Sequence, residues 1–285
     1  MHGTFTLKLL LVLVWLGAMG WLIRFEAFPH WFDDTAQGYR GLMRDLPAVR
    51  DTWMRVLADG KHVGYFNSGL DLDESDGREQ LVLLNQFMLR VETFGGKDSL
   101  RFNSEVRLGG DQRMQSFQAT FFSPMFEANA SGVRQDGNLY EITLQMGQLA
   151  IQRRIRIPDQ TVMAGVMGDF GLQPLREGQT LRLRTLDPFS MGGDGTEVVV
   201  TGEGSEEIVL GEGDPQVAVR MRIEQGEWVL RMWVSDTGQV LRQETPFGLV
   251  LEAATVQEAI RVPDEHAVNL TQLMQHPGFF NLPQP

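Results

Sequence analysis

Residues 217–234 are VAVRMRIEQGEWVLRMWV, two runs in which apolar and polar side chains alternate on either side of Gly226. Successive side chains of a β-strand point to opposite faces, so alternation indicates a strand with one face on a core and the other in solvent. A glycine between two such runs supplies the backbone conformation of a tight turn. This stretch therefore predicts an antiparallel β-hairpin.

The same alternation recurs from Trp53 onward, for example in residues 87–92 and 181–184, with turn sequences such as Asp59-Gly60 and Asp136-Gly137 between the runs. Many short strands at this spacing predict a mainly β fold. We expect a curved antiparallel sheet, either a half-barrel or a two-layer arrangement with layers at about 53–157 and 174–254. A few short helices should accompany it, at residues 35–46, 162–172, 255–260 and 264–275.

An uncharged apolar stretch occupies residues 9–23, LLLVLVWLGAMGWLI, and extends back to Phe5 with Lys8 as its one charge. Roughly 20 helical residues span the bilayer's hydrocarbon core of about 30 Å. We expect a transmembrane anchor whose lipid-facing residues include Leu9, Leu10, Leu11, Val12, Leu13, Val14, Trp15, Leu16, Trp21, Leu22 and Ile23. The alternative is a cleaved signal peptide, because Ala18-Met19-Gly20 fits a small-x-small cleavage site.

These features divide the chain into four parts. Residues 1–24 form the membrane anchor or signal peptide, 25–51 a connector with a short helix, 52–262 the antiparallel β domain, and 263–285 a C-terminal helix and tail. A short N-terminal tail easily stays in the cytoplasm, and long domains cross the membrane largely regardless of their charge. We therefore expect a single-pass protein whose bulk lies outside the cytoplasm, on the periplasmic or extracellular face.

The composition excludes several classes of function. The net charge of -12 and the pI near 4.9 argue against nucleic-acid binding, which requires clustered Lys and Arg. The chain has no cysteine, which removes disulfides, thiolate metal sites and a cysteine nucleophile.

No constellation of catalytic, cofactor-binding or metal-ligating residues emerges from the motifs. The five histidines form no HxH or HExxH pattern, and no Gly-x-Ser-x-Gly elbow is present. We therefore predict no catalytic residues, no cofactor and no metal, and a protein that is not an enzyme. Trp228 and Trp233 should face opposite sides of one strand, and Trp233, which shares a face with Arg231, is the candidate exposed aromatic for binding.

Two motifs carry a resemblance to known envelope proteins. Residues 53–65, WMRVLADGKHVGY, form a strand, a turn and a second strand, and residues 232–249, MWVSDTGQVLRQETPFGL, form a strand pair that leads into another strand. Together they resemble the β domain that precedes the catalytic domain in bacterial transglutaminase-like envelope proteins. They are also similar to bacterial envelope domains related in shape to lipoprotein carriers.

The resemblance covers roughly residues 52–260 and implies a strongly curved antiparallel sheet. The Cys-His-Asp machinery of transglutaminases has no counterpart here, so no catalytic residues carry over. The leading hypothesis is a non-enzymatic, membrane-anchored envelope domain that binds or scaffolds a partner protein or a polymer. The alternatives are a carrier that holds lipid or lipoprotein, and a hydrolase or transferase with an unrecognised site.

Overall fold

The structure is a computed structural model that describes residues 34–35, 38–42, 50–73, 80–163, 173–189, 193, 195–211 and 213–271. The anchor residues Leu9–Ile23 lie outside these ranges. Most of the described residues are in strands. The first nine strands are β1 (Asp34–Thr35), β2 (Arg50–Ala58), β3 (Lys61–Asp73), β4 (Gln80–Thr93), β5 (Gly96–Leu108), β6 (Met114–Phe122), β7 (Glu127–Asp136), β8 (Leu139–Met146) and β9 (Leu149–Arg156).

The remaining strands follow a short connection after β9. They are β10 (Thr161–Met163), β11 (Thr180–Leu186), β12 (Thr196–Ile208), β13 (Gln216–Gln225), β14 (Trp228–Val234), β15 (Val240–Glu244), β16 (Leu249–Ala253) and β17 (Val268–Asn269). Two short helices are described, α1 (Tyr39–Leu42) and α2 (Val256–Ile260). The predicted mainly β, antiparallel fold with little helix is therefore confirmed.

All of the strands belong to one large open sheet. Antiparallel hairpins connect β11 through β16 and β2 through β9. The two series are joined by antiparallel pairing of β16 with β2, which places Leu251 opposite Val56. The ranges 53–157 and 174–254 are therefore halves of one sheet and not two separate sheets.

Three short strands form parallel pairings at the margins of the antiparallel series. Strands β1 and β10 both pair with β11, and β17 pairs with β4. Because Val162 and Met163 belong to β10, the predicted helix at 162–172 is wrong at its start, and its remainder lies outside the described residues. The predicted helix at 264–275 is wrong where β17 forms. Among the described residues of this range, helical geometry appears at Leu270 and Thr271.

The two helices differ in how well the sequence predicted them. Helix α2 confirms the expectation for residues 255–260, and Thr255 and Glu258 form a reciprocal capping box at its start. Among the described residues of the predicted helix at 35–46, only Tyr39–Leu42 are helical. The Tyr39 hydroxyl accepts a hydrogen bond of 2.8 Å from the Met163 amide, which ties α1 to β10.

One face of the sheet, here called the inner face, carries the main hydrophobic core. Both halves of the sheet contribute to it, for example Met54 and Phe66 from the first half and Met221 and Met232 from the second. The opposite surface, here called the outer face, is formed by the alternate residues of the same strands.

The turn between β2 and β3 has positive φ at both Asp59 and Gly60, as a two-residue hairpin requires.

Candidate functional site

Two cross-strand rows of side chains lie next to each other on the outer face of β2 to β8. The first, called here the aromatic row, places residues opposite one another on β2 through β6. Its members are Arg55, Tyr65, Met88, Arg101 and Phe122. Their sequence neighbours, such as Phe66 and Phe102, point into the main core, which is why the row faces outward.

The aromatic row presents half-buried rings that are fixed by neighbouring contacts. Trp53, beside Arg55 on β2, packs against Tyr65 with ring centroids 5.9 Å apart. The Trp53 indole Nε1 donates a hydrogen bond of 2.8 Å to the Asp51 carboxylate. At the other end of the row, the Arg101 guanidinium lies over the Phe122 ring, 5.2 Å from its centroid. These contacts hold flat apolar surfaces at the edge of solvent.

The second row, called here the amide row, crosses six consecutive strands without a single charged residue. Register pairing aligns it through β3 to β8. Its members are Asn67, Gln86, Asn103, Thr120, Asn129 and Gln145. At a strand spacing of about 4.8 Å, the row extends roughly 24 Å across the sheet.

The members of the amide row differ in how many of their side-chain donors and acceptors form hydrogen bonds within the protein. Asn67 donates to the Asp51 carboxylate, and the Thr120 hydroxyl donates to Asn129 Oδ1 at 2.8 Å. Gln86 and Asn103, at the centre of the row, are exposed and bond to no other side chain among the described residues. Each primary amide carries two N–H donors and a carbonyl acceptor. The centre of the row therefore offers several unpaired donors and acceptors to a ligand.

Two shallow grooves lie beside these rows, and residues of β4 and β5 line both of them. The larger has a volume of about 420 Å³ and is lined by Tyr65, Met88, Arg90, Lys97, Ser99 and Arg101, with Asp98. The smaller has a volume of about 180 Å³ and includes Gln86 and Asn103 in its lining. Met88–Arg101 and Gln86–Asn103 are adjacent outward pairs of the same hairpin, so the two grooves follow one another along it, and together they are called here the furrow.

The segment that follows α2 lies at one end of this furrow. Arg90 pairs with the Asp264 carboxylate at 2.7 Å, and the Lys97 ammonium donates to the carbonyl oxygens of Asp264 and Glu265 at 3.0 Å. His266 Nδ1 lies 3.1 Å from the His62 carbonyl oxygen. The furrow is thus bounded by backbone that basic side chains of β4 and β5 hold in place.

Trp233 is not the exposed aromatic that the sequence predicted. Only 6% of its surface is exposed, because it packs with Ile208, Ala218 and Leu241 in a second, smaller cluster on the outer face. Its indole Nε1 donates to the Glu206 carboxylate, and the Arg242 guanidinium lies 5.5 Å from its ring.

Trp228 is half-buried and packs on Phe247 with centroids 4.7 Å apart.

The described part of the chain brings together no group of three or more His, Asp or Glu side chains suited to a metal ion. His62 is engaged by its own strand, with Nε2 2.9 Å from the Gly64 carbonyl oxygen. Burial lowers the pKa of His62, and the nearby Arg55 and His266 lower it further.

The predicted anchor residues cannot be assigned to this site, since they precede the described ranges. Within those ranges, no helix has the length and apolar character needed to cross a bilayer. The residues of the site are instead outward-facing side chains of the β-strands. The alternation in the sequence predicts on which face of its strand each of them lies. The alternation in the sequence places Gln86, Met88 and Arg90 on one face of their strand and Phe87 and Leu89 on the other. It does not reveal which residues of the neighbouring strand lie beside them.

Comparison with known proteins adds no family assignment. The chain matches no protein-family model, and no curated protein matches it.

Proposed function

We propose that this protein is a non-enzymatic envelope protein that binds a hydroxyl-rich polymer, a polysaccharide, through the outer face of β2 to β8. In this proposal the apolar segment at residues 9–23 anchors the chain in the membrane. The β domain then lies outside the cytoplasm, where such polymers surround the cell. The observation that carries the proposal is the uncharged amide row beside the half-buried rings of the aromatic row.

The chemistry of the two rows matches a sugar chain. A hydroxyl group both donates and accepts hydrogen bonds, and a primary amide offers both functions within one planar group. Trp53 and Tyr65 add broad amphipathic surfaces at low cost in conformational entropy, which suits stacking on the apolar face of a sugar ring. The furrow along β4 and β5 supplies a concave path for an extended chain.

A polymer fits this surface better than a folded partner protein does. The buried centre of a protein–protein interface is more apolar than the rest of the surface and is depleted of charged residues. Here the centre is occupied by the polar amides of Gln86 and Asn103. The outward neighbours of Gln86 along β4 are Leu84 and Met88. A folded partner would have to bury these amides, whereas a glycan can satisfy them.

The inner face supports a packed core in preference to a lipid cavity. Large side chains there, including Phe66, Leu89, Leu100 and Phe117, are less than 2% exposed. A carrier needs unfilled apolar space, and the two grooves described above open on the outer face. We therefore favour polymer binding over the carrier hypothesis. A right-handed twist accumulating over many strands would give the sheet the half-barrel curvature of the domains it resembles, with the polymer on the convex side.

The test is binding of the full-length chain, in detergent micelles, to an array of neutral and acidic oligosaccharides. The double substitution Gln86→Ala/Asn103→Ala removes the two free amides, which at about 1 kcal/mol per hydrogen bond should weaken binding roughly 30-fold. The matched control is Gln148→Ala/Gln257→Ala, which removes two exposed amides elsewhere on the surface.

The expected result is binding that the first double variant weakens and the control leaves within twofold. Equal binding by both double variants would show that the amide row is not the site. Failure to bind any oligosaccharide, together with lipid that co-purifies at a fixed ratio to protein, would support the carrier hypothesis instead.

A further inference from the structure

We infer that the polymer is an acidic polysaccharide and that Arg101 binds its carboxylate groups in the larger groove. This inference rests on the proposed function and names its substrate class. It follows from the charge of the groove, from the hydrogen bonds that orient Arg101, and from the absence of a carboxylate partner for this arginine among the described residues.

The groove is a basic site on an acidic protein. The chain as a whole carries a net charge of -12. The groove wall nevertheless contains Arg90, Lys97 and Arg101 against the single carboxylate of Asp98. The protein as a whole therefore repels a polyanion, whereas this groove offers an acidic chain complementary charge.

Two of these cations have structural partners within the protein. Arg90 pairs with Asp264 at 2.7 Å, and Lys97 donates to two backbone carbonyl oxygens of the same segment. These contacts tie both cations to the wall of the groove. Among the described residues, Arg101 is the lining cation that has neither a carboxylate partner nor a contact with this segment.

Arg101 is oriented without being neutralised. Its Nε donates a hydrogen bond of 3.1 Å to the Ser99 hydroxyl, and its guanidinium lies over Phe122. Among the described residues, neither terminal Nη group of Arg101 has a hydrogen-bond or ion-pair partner. By contrast, Arg107 on the same strand is held by two carboxylates, Asp73 at 2.7 Å and Glu105 at 2.6 Å. A preoriented guanidinium with free terminal N–H groups is suited to bidentate recognition of a carboxylate.

The neighbouring amides explain why a sugar acid suits the site better than a simple anion. Gln86 and Asn103 are the next outward pair along β4 and β5 from Met88 and Arg101. Residues two apart on a strand are about 6.8 Å apart. A carboxylate on Arg101 thus places adjoining sugar hydroxyls within reach of the free amides, while a small anion would leave those amides unused.

The test uses two probes that differ only in charge: galacturonic acid oligosaccharides of fixed length, and the same oligosaccharides with their carboxyl groups methyl-esterified. Binding of the full-length chain in micelles is measured by calorimetry at low and high salt. The variant is Arg101→Gln. Its matched control is Arg231→Gln, which removes an equally exposed arginine that forms no ion pair with the described residues, on β14 in the other half of the sheet.

We expect the acid to bind at least tenfold more tightly than the ester at low salt, a difference that is equivalent to 1.4 kcal/mol. Arg101→Gln should remove most of this preference by lowering the acid's affinity far more than the ester's, and salt should reduce the acid's affinity more than the ester's. Equal effects of Arg101→Gln and Arg231→Gln would overturn the assignment to Arg101.

The outcomes separate this inference from the proposed function. Equal affinity for acid and ester, with both lost in Gln86→Ala/Asn103→Ala, would refute the acidic substrate and leave polymer binding intact. Binding that the amide substitutions leave unchanged would contradict both. If neither oligosaccharide binds, the carboxylate inference fails, and the oligosaccharide array alone decides the proposed function.

Discussion

Replacing Gly132 by alanine should destabilise the fold, because the ring of a buried phenylalanine occupies the space of the missing side chain. Gly132 on β7 pairs directly with Phe117 on β6. A Cβ atom at Gly132 would lie 2.2 Å from Phe117 Cε1, 2.6 Å from Cζ and 2.8 Å from Cδ1. Phe117 is 1% exposed and packs in the main core, so its ring has little room to move aside.

The magnitude follows from this geometry. Carbon atoms in contact prefer a separation of about 3.5 to 4.0 Å, so the ring must shift by more than about 1 Å. Overpacking of a filled core typically costs about 1–3 kcal/mol, and the higher strand propensity of alanine returns at most about 1 kcal/mol. We expect Gly132→Ala to lower the free energy of unfolding by about 2 kcal/mol.

Shortening the phenylalanine should relieve the clash. Phe117→Leu alone creates a partial cavity and should cost about 1–2 kcal/mol. In the double variant the alanine methyl fills part of that space, so the combined cost should fall at least 1 kcal/mol below the sum of the single costs. Gly110→Ala is the control, since a Cβ atom there meets no atom within 4 Å.

The measurement is urea unfolding of the full-length chain in micelles, followed by tryptophan fluorescence. The midpoint should drop for Gly132→Ala and stay near the wild-type value for Gly110→Ala. Strict additivity in the double variant, or an unchanged midpoint for Gly132→Ala, would refute the packing of Phe117 over Gly132.

Two further predictions concern the dependence of stability on pH. Burial lowers the pKa of His62, so below the unfolded value of about 6.5 the unfolded chain binds more protons than the folded chain. The free energy of unfolding should therefore fall as the pH drops from 6.5 towards 5, and His62→Gln should reduce this fall in the urea midpoints. Burial also raises the pKa of Tyr140 to about 12, so the folded chain keeps a proton that the unfolded chain releases above pH 10. The free energy of unfolding should therefore decline between pH 10 and 12, and an equally steep decline in Tyr140→Phe would contradict this.

Local patterns predicted the strands of this fold, whereas the pairing of distant strands could not be predicted. The hairpin at residues 217–234 forms as β13 and β14, with Arg222 opposite Arg231. The joining of β16 to β2 depends on segments almost two hundred residues apart, and no turn sequence signals it. Strands β10 and β17 contain only three and two residues. They are strands because β11 and β4 offer free backbone groups, which a propensity pattern within the segment cannot reveal.

The error at Trp233 has the same origin. Alternation placed it on the face of Arg231, and that assignment to the outer face is correct. Its burial depends on Ile208, Ala218 and Leu241, which come from three other stretches of the chain and cover part of the outer face. An outward residue is exposed only if its cross-strand neighbours are polar or small, and those neighbours are known only once the register is known.

The register is also what makes the candidate site. Gln86 lies opposite Asn103, and a slip of one residue would bring it opposite Ser104 or Phe102, which belong to the inner face. Such a slip would also expose Phe87 to solvent, so the hydrophobic core penalises it strongly. The alignment of the amide row is therefore held by apolar side chains on the opposite surface of the sheet. A binding surface of this kind can change its ligand by substitution of outward residues while the inward residues keep the fold.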